Sequence, residues 1–264
     1  VTVTSAPAVP SVADVLRGDR LRRPASDRLI AAGLRADLED RIFELSARHP
    51  RREPLLVGPR QVREEPSVAA LTRAPTGQLR GVLVGRLLAL LVVGYRVEDP
   101  FADAWTAWRA DARGELVTFA DQLDSDELAR LAADVTAHFV TLERRLGSIN
   151  PSWRPRVDVR TSVRFGGGDV VVRDVVDLAV GSTSTAQASV ACFDVTTSPF
   201  GAGHERVLRL HALSETLRSH VAPLRVVSLS TATDELWSVD VDAGLLRRAL
   251  DELTAVIERS WVAP

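Results

Sequence analysis

The chain has 264 residues, a formal charge of −2 at neutral pH and 45% apolar side chains. That length suits one large domain or a core with a helical lobe, and the near-zero charge excludes coating of nucleic acid by bulk positive charge while leaving room for a local basic groove. The single cysteine, Cys192, lies in the apolar run from Ala188 to Phe193; it excludes a disulfide framework or cysteine-rich metal site and reads as a reduced core residue.

The first residues, Val1 to Val12, are rich in Ala, Pro, Thr and Ser and lack the basic start and apolar block of a secretory signal. The longest apolar run, Leu87 to Gly94, is too short to span a bilayer, so a cytoplasmic location without membrane contact is expected. All 33 basic residues are arginine. GC-rich coding bias or avoidance of lysine modification would each produce this. In both cases no lysine of this chain can do chemistry, and arginine is no equivalent because it does not deprotonate near neutral pH.

Residues 1–24 read as a loose leader, and its Arg17 to Arg23 as a solvated segment. Ser26 can cap a helix carrying Ile30, Leu34, Leu38, Ile42 and Leu45 on one stripe, which His49-Pro50 ends. Leu55 to Val57 is a short extended piece between Pro54 and Gly58-Pro59. A helix from Gln78 to Tyr95 is apolar nearly all round and should be central to its lobe. Phe101 to Ala112 places Trp105 and Trp108 at helical spacing, as core residues. Asp124 or Ser125 opens the clearest helix, whose stripe from Leu128 to Leu146 closes at Gly147. Asn150-Pro151 marks the expected junction between a helical lobe, 25–150, and an α/β core, 151–264.

There the period changes. Val157, Val159, Val163 and Phe165 alternate with polar residues as in a strand with one wet face, and Gly166 to Gly168 is a turn. Val170 to Val180 is a β-branched strand buried on both faces. A polar loop, Gly181 to Gln187, leads to a third strand, Ser189 to Thr196. A helix follows Gly201 and Gly203, with Val207, Leu210 and Leu217 inward. Strands from Leu224 to Ser230 and Leu236 to Val241 precede a last helix holding Leu245, Leu246, Ala249, Leu250, Leu253, Val256 and Ile257. The order is helix, three strands, helix, two strands, helix.

Two acids interrupt apolar strands: Asp177 in Val175-Val176-Asp177-Leu178 and Asp194 in Cys192-Phe193-Asp194-Val195. A buried carboxylate is costly unless paired or bound to a metal. If the two strands form a hairpin, Asp177 and Asp194 lie opposite one another, close enough to share a divalent cation, with Thr196 on the face of Asp194. Pairing with Arg160, Arg164 or Arg173 is the plainer alternative. Asp174, three residues from Asp177 on a strand, reads as structural. Glu205 reads as a first-turn charge complementing the helix dipole. His211 lies near the apolar stripe, where a satisfied core histidine is the ordinary reading; it is also the best candidate here for a substitute acid or base.

The segments VRDVVDLAVG and ACFDVTTS, then a helix and PLRVVSLS, resemble the core of PD-(D/E)XK nucleases of the RecB-like branch. In that superfamily an Asp on the second strand of a meander is followed, on the third, by Asp/Glu-x-Lys. The resemblance implies a restriction-endonuclease-like mixed α/β sheet. It implies Asp177 and Asp194 as metal ligands, the carbonyl of Val195 and Asp158 as further ligand positions, and Mg²⁺ or Mn²⁺ as the ion. Thr196 stands where the lysine would be. Val207 and His211 occupy the places of a Gln-x-x-x-Tyr pair, and Gly81 and Gly85 those of a Gly-x-x-x-His pair. The expected function is therefore a DNA-acting protein with lost or altered cleavage, binding DNA or supporting a protein partner in a DNA-processing or defence complex. An active Mg²⁺-dependent nuclease, with Thr196 helped by an arginine or by His211, and a scaffold that kept only the fold are the two alternatives.

Overall fold

The computed structural model describes residues 28–63, 75–147, 149–182 and 190–262. Among them run eight α-helices and one six-stranded mixed sheet. The leader, the expected cap Ser26, Ser189 and most of the polar loop before it lie outside the described residues.

Helix α1, Arg28–Arg48, comes first, and its stripe Leu34, Leu38, Ile42 and Leu45 is buried as the sequence period predicts. Strand β1, Leu55–Val57, and the five-residue helix α2, Pro59–Arg63, follow. Four helices come next: α3, Pro75–Val92; α4, Pro100–Arg109; α5, Glu115–Asp121; and α6, Ser125–Leu146. Helix α6 starts on a capping box. The Asp124 carboxylate accepts from the Glu127 N–H at 2.8 Å, and the Glu127 carboxylate accepts from the Asp124 N–H at 3.0 Å.

The remaining order is that expected: strands β2, Arg156–Phe165, β3, Val170–Val180, and β4, Ala191–Thr196; helix α7, Ala202–Ser219; strands β5, Arg225–Ser230, and β6, Glu235–Asp240; and helix α8, Ala243–Val262. β2 and β3 form a long antiparallel hairpin around Gly166 to Gly168. β3 pairs antiparallel with β4, β4 parallel with β5, and β5 antiparallel with β6.

The described residues of the stretch 25–150, expected as one helical lobe, divide between the two sides of the sheet. β1 is a sheet strand, pairing in parallel with Val170 to Val172 of β3. The stripe of α1 and Val62 of α2 join α7 and α8 in one apolar cluster, while α3 to α6 form the other against Leu178, Val180, Phe193, Val227 and Leu229. Three residues of extended chain carry no topological information by themselves. Their place is set by the open edge of β3, which local periodicity cannot report. Helix α3 is the centre of its layer, with Leu79, Leu83, Val84, Leu87 and Leu88 buried, and Trp108 packs edge-on to Trp105 beside it.

Two irregularities shape the middle of the sheet. β2 covers one edge of β3 along its length, so β1 and β4 share the other edge. The β1 pairing stops at Val172 and that of β4 begins at Leu178, which leaves residues 173–177 of that edge without a strand partner among the described residues. The side-chain alternation also inverts there. Val170, Val172 and Val176 of β3 join the α1, α7 and α8 side, yet Leu178 and Val180 join the opposite side. β2 does the same, with Val159 and Val163 on one side and Val157 on the other. Asp158, between Val157 and Val159, has φ of +49°, a left-handed conformation that rotates the strand and that Asp tolerates better than most residues.

Candidate functional site

At this inversion the strands part. The β3–β4 ladder ends at Leu178 opposite Phe193, and the next position in that register would set Asp177 opposite Asp194. Instead of another pair of backbone hydrogen bonds, the Asp177 carboxylate accepts the Val195 N–H at 2.7 Å. The side chain thus replaces a ladder bond where the strands splay. The opening is a cleft of about 510 Å³ lined by Asp158, Asp177, Asp194, Val195, Thr196 and Thr197 from the sheet. Helix α3 lines it with Gln78, Gly81, Val82, Gly85 and Arg86, and helix α2 with Arg63.

The glycines keep the helix wall low. A Cβ on Gly85 would meet nothing within 4 Å, and one on Gly81 would meet only the Thr197 hydroxyl at 3.9 Å. Gly81 and Gly85 therefore leave the space between α3 and the carboxylates open.

Asp194 is held from behind. Its Oδ2 accepts from the Ser228 hydroxyl at 3.2 Å, and its Oδ1 stands 3.8 Å from Nε2 of His211, an ionic contact too long for a hydrogen bond. The other ring nitrogen of His211, Nδ1, lies 2.9 Å from both carboxylate oxygens of Asp174. Asp174 and His211 are each 1% exposed. Burial disfavours an imidazolium, but the charge and hydrogen bonds of Asp174, with the nearby charge of Asp194, outweigh it and lift the His211 pKa to about 10. A charged His211 thus sits between two carboxylates. Burial also works to raise Asp194, but the His211 imidazolium outweighs it, and Arg63 and His204 add to the effect, so this carboxyl lies below its usual range. For Asp177, burial and then the charge of Asp194 push the pKa up to about 7, against the Val195 N–H and His211, which pull it down.

Of the residues singled out in the sequence, Asp177, Asp194, Val195, Thr196 and Asp158 all line the cleft, Asp158 being exposed at its rim. His211 does not line it; it stands behind Asp194, and its charge reaches both Asp194 and Asp177. Thr196 is buried, and its hydroxyl accepts the Ser198 N–H at 3.2 Å. The alternative pairing with Arg160, Arg164 or Arg173 is not seen among the described residues; the partners of Asp177 and Asp194 are Val195, Ser228 and His211. Asp174 lies outside the cleft and holds His211. No group of three or more His, Cys, Asp or Glu side chains arranged to hold a metal ion occurs among the described residues.

Arg63 was missed in the sequence. It stands in a segment without a clear period, and α2 is too short to announce itself. Helix α2 follows β1 directly and so lies beside the gap in the open edge of β3. Gly58 lets the chain turn against the sheet there, since a Cβ at that position would lie 3.0 Å from the Arg173 carbonyl.

No protein-family profile matches the chain, and no curated protein does. Among solved structures, SSO0001 aligns over 89% of this chain and 96% of its own, with 11% identity and a TM-score of 0.29, a likeness too weak to assign a fold family. No helix among the described residues is long and apolar enough to cross a membrane. What stands is a mixed α/β protein with a six-stranded mixed sheet and a two-carboxylate cleft at a break in that sheet.

Proposed function

We propose that this cleft is a divalent-cation site acting on the phosphodiester backbone of DNA, on a fold of the RecB-like PD-(D/E)XK type, and that cleavage is weak or lost while binding is kept. The observation that carries the proposal is the pairing of Asp177 and Asp194 at the splayed strands. Two carboxylates face one cleft, and the charge of Asp194 helps lift Asp177 to about 7. Asp194 has His211 and Arg63 beside it, but Asp177 has an unmet need for positive charge. Hard carboxylate and carbonyl oxygens suit Mg²⁺ or Mn²⁺ rather than zinc. Two facing carboxylates, with Asp158 at the exposed rim, fit Mg²⁺, which keeps several waters and binds through one or two carboxylates plus phosphate oxygens. Asp177 and Asp194 would hold the ion, with the Val195 carbonyl and Asp158 at the cleft wall as further oxygen donors. A bound cation supplies charge neutralisation at phosphate and a lowered pKa for its water.

Weak cleavage follows from Thr196. At the position of the signature lysine it offers no charge, and its hydroxyl is engaged with Ser198. DNA, rather than another phosphodiester, rests on the resemblance of the strand motifs.

The test has two parts. Mg²⁺ or Mn²⁺ should raise the thermal midpoint of the wild type and not that of the Asp177→Asn plus Asp194→Asn variant; an equal rise in both would overturn the site. Labelled linear, single-stranded and nicked DNA should be bound but cleaved slowly or not at all by the wild type, and Thr196→Lys should raise cleavage. Fast wild-type cleavage abolished by Asp194→Ala would show an active nuclease instead. Absence of both DNA binding and cleavage in every variant would favour a scaffold.

A further inference from the structure

The cleft carries negative charge on its sheet wall, yet a DNA phosphate must approach it. Two arginines line the space, Arg63 and Arg86. Arg86 is turned away, its Nη2 donating to both Asp111 carboxylate oxygens, at 2.7 and 3.0 Å. Arg80, on the same helix, is held by Asp134 at 3.2 Å and by the Thr197 carbonyl at 3.4 Å. Arg63 is placed differently. Its charge acts on Asp194, and its Nε, like that of Arg80, is buried with no hydrogen-bond partner among the described residues. Its backbone is fixed by α7. Arg206 donates to the Val62 carbonyl at 3.0 Å and to the Arg63 carbonyl at 2.9 Å. Gly203 allows the close approach, since a Cβ there would lie 2.9 Å from the Arg63 carbonyl and 2.7 Å from its Cγ. A five-residue helix is thus anchored where its last residue, Arg63, lines the carboxylate cleft.

We propose that Arg63 is the phosphate-contacting cation of this cleft, supplying from helix α2 the positive charge that Thr196 does not supply from β4. The proposal rests on the reading of the cleft as a cation-dependent DNA site. A guanidinium can hold a phosphate through paired N–H donors but cannot deprotonate to manage a water. Binding with little cleavage is the expected consequence. Because Asp158, Asp177 and Asp194 line the same space, phosphate should enter only when a divalent cation offsets their charge.

The experiment measures anisotropy of a labelled DNA oligonucleotide with the full chain, with and without Mg²⁺, over a salt series. The variants are Arg63→Ala, Arg63→Lys and, as a control for loss of one remote charge, Arg259→Ala on the exposed side of α8. Arg63→Ala should weaken Mg²⁺-dependent binding about tenfold or more, as for loss of a charge-assisted contact. It should also lower the slope of log affinity against log salt by about one. Arg63→Lys should recover part of the affinity, and Arg259→Ala should match the wild type. If Arg63→Ala binds like the wild type while Asp177→Asn plus Asp194→Asn does not bind, Arg63 is not the contact and the cation site stands. If the wild type binds no DNA with Mg²⁺, the reading of the cleft itself falls, and the role of Arg63 with it. Equal losses in Arg63→Ala and Arg259→Ala would mark a diffuse charge effect and overturn the proposal. Unchanged thermal midpoints in the variants exclude misfolding as the cause.

Discussion

The buried pair behind the cleft gives the sharpest stability prediction. Asp174 and His211 are each 1% exposed and meet at 2.9 Å, with Asp194 3.8 Å from the far ring nitrogen. Asp174→Ala would leave a buried imidazolium with one partner at longer range. Breaking a buried charge pair in this way costs about 3–5 kcal/mol. For a chain of this size that is a fall in thermal midpoint on the order of 10 °C. His211→Leu removes the charge itself, so the Asp174→Ala plus His211→Leu variant should cost less than the two single changes added together, with a coupling of about 1–3 kcal/mol. The pH dependence has a definite sign. The folded pKa of His211 is raised to about 10, above its ordinary value of 6.5. Its stabilising contribution is therefore complete below about pH 6.5 and is lost as pH rises through 10. The gap in thermal midpoint between wild type and His211→Leu should be widest near about pH 6 and shrink towards about pH 10. Thermal unfolding followed by circular dichroism at several pH values measures it. Additive single costs, or a gap that widens with pH, would refute the charged His211.

Cation binding should fade in acid: Asp177 titrates at about 7, so Mg²⁺ should raise the thermal midpoint less as pH falls below that value, in a melt series from about pH 6 to 8. Gly85→Ala should raise stability by up to about 1 kcal/mol, because the helix gains a better former and the new Cβ meets nothing within 4 Å, whereas Gly166→Ala should lower it, since φ there is +56° and Ile42 crowds the position. Denaturant titration distinguishes the two signs. Asp124→Ala should cost about 1 kcal/mol by the same assay through loss of the α6 capping box. Burial pushes the Cys192 thiol well above its usual range, so a thiol reagent should label it only on unfolding.

The sequence by itself determined the elements whose pattern is local. The α6 stripe, the α8 stripe and the alternation in β2 follow from helix and strand periods, and β3 falls on Val170 to Val180 because a β-branched run between two turns has few other choices. Asp177 and Asp194 were visible because a carboxylate in an apolar strand needs a reason. Their common cleft, however, is a tertiary fact. It depends on where β1 stops, where β4 starts to pair and how the hairpin inverts at Asp158. Arg63 enters that cleft from a segment far upstream of Asp177, through a short helix held by Arg206 and Gly203. His211 was legible as a histidine near an apolar stripe, but its place between Asp174 and Asp194 came from the packing of α7 on the sheet. Local periodicity reports which face of an element is apolar; only chain packing decides which polar groups from different elements meet on the other side.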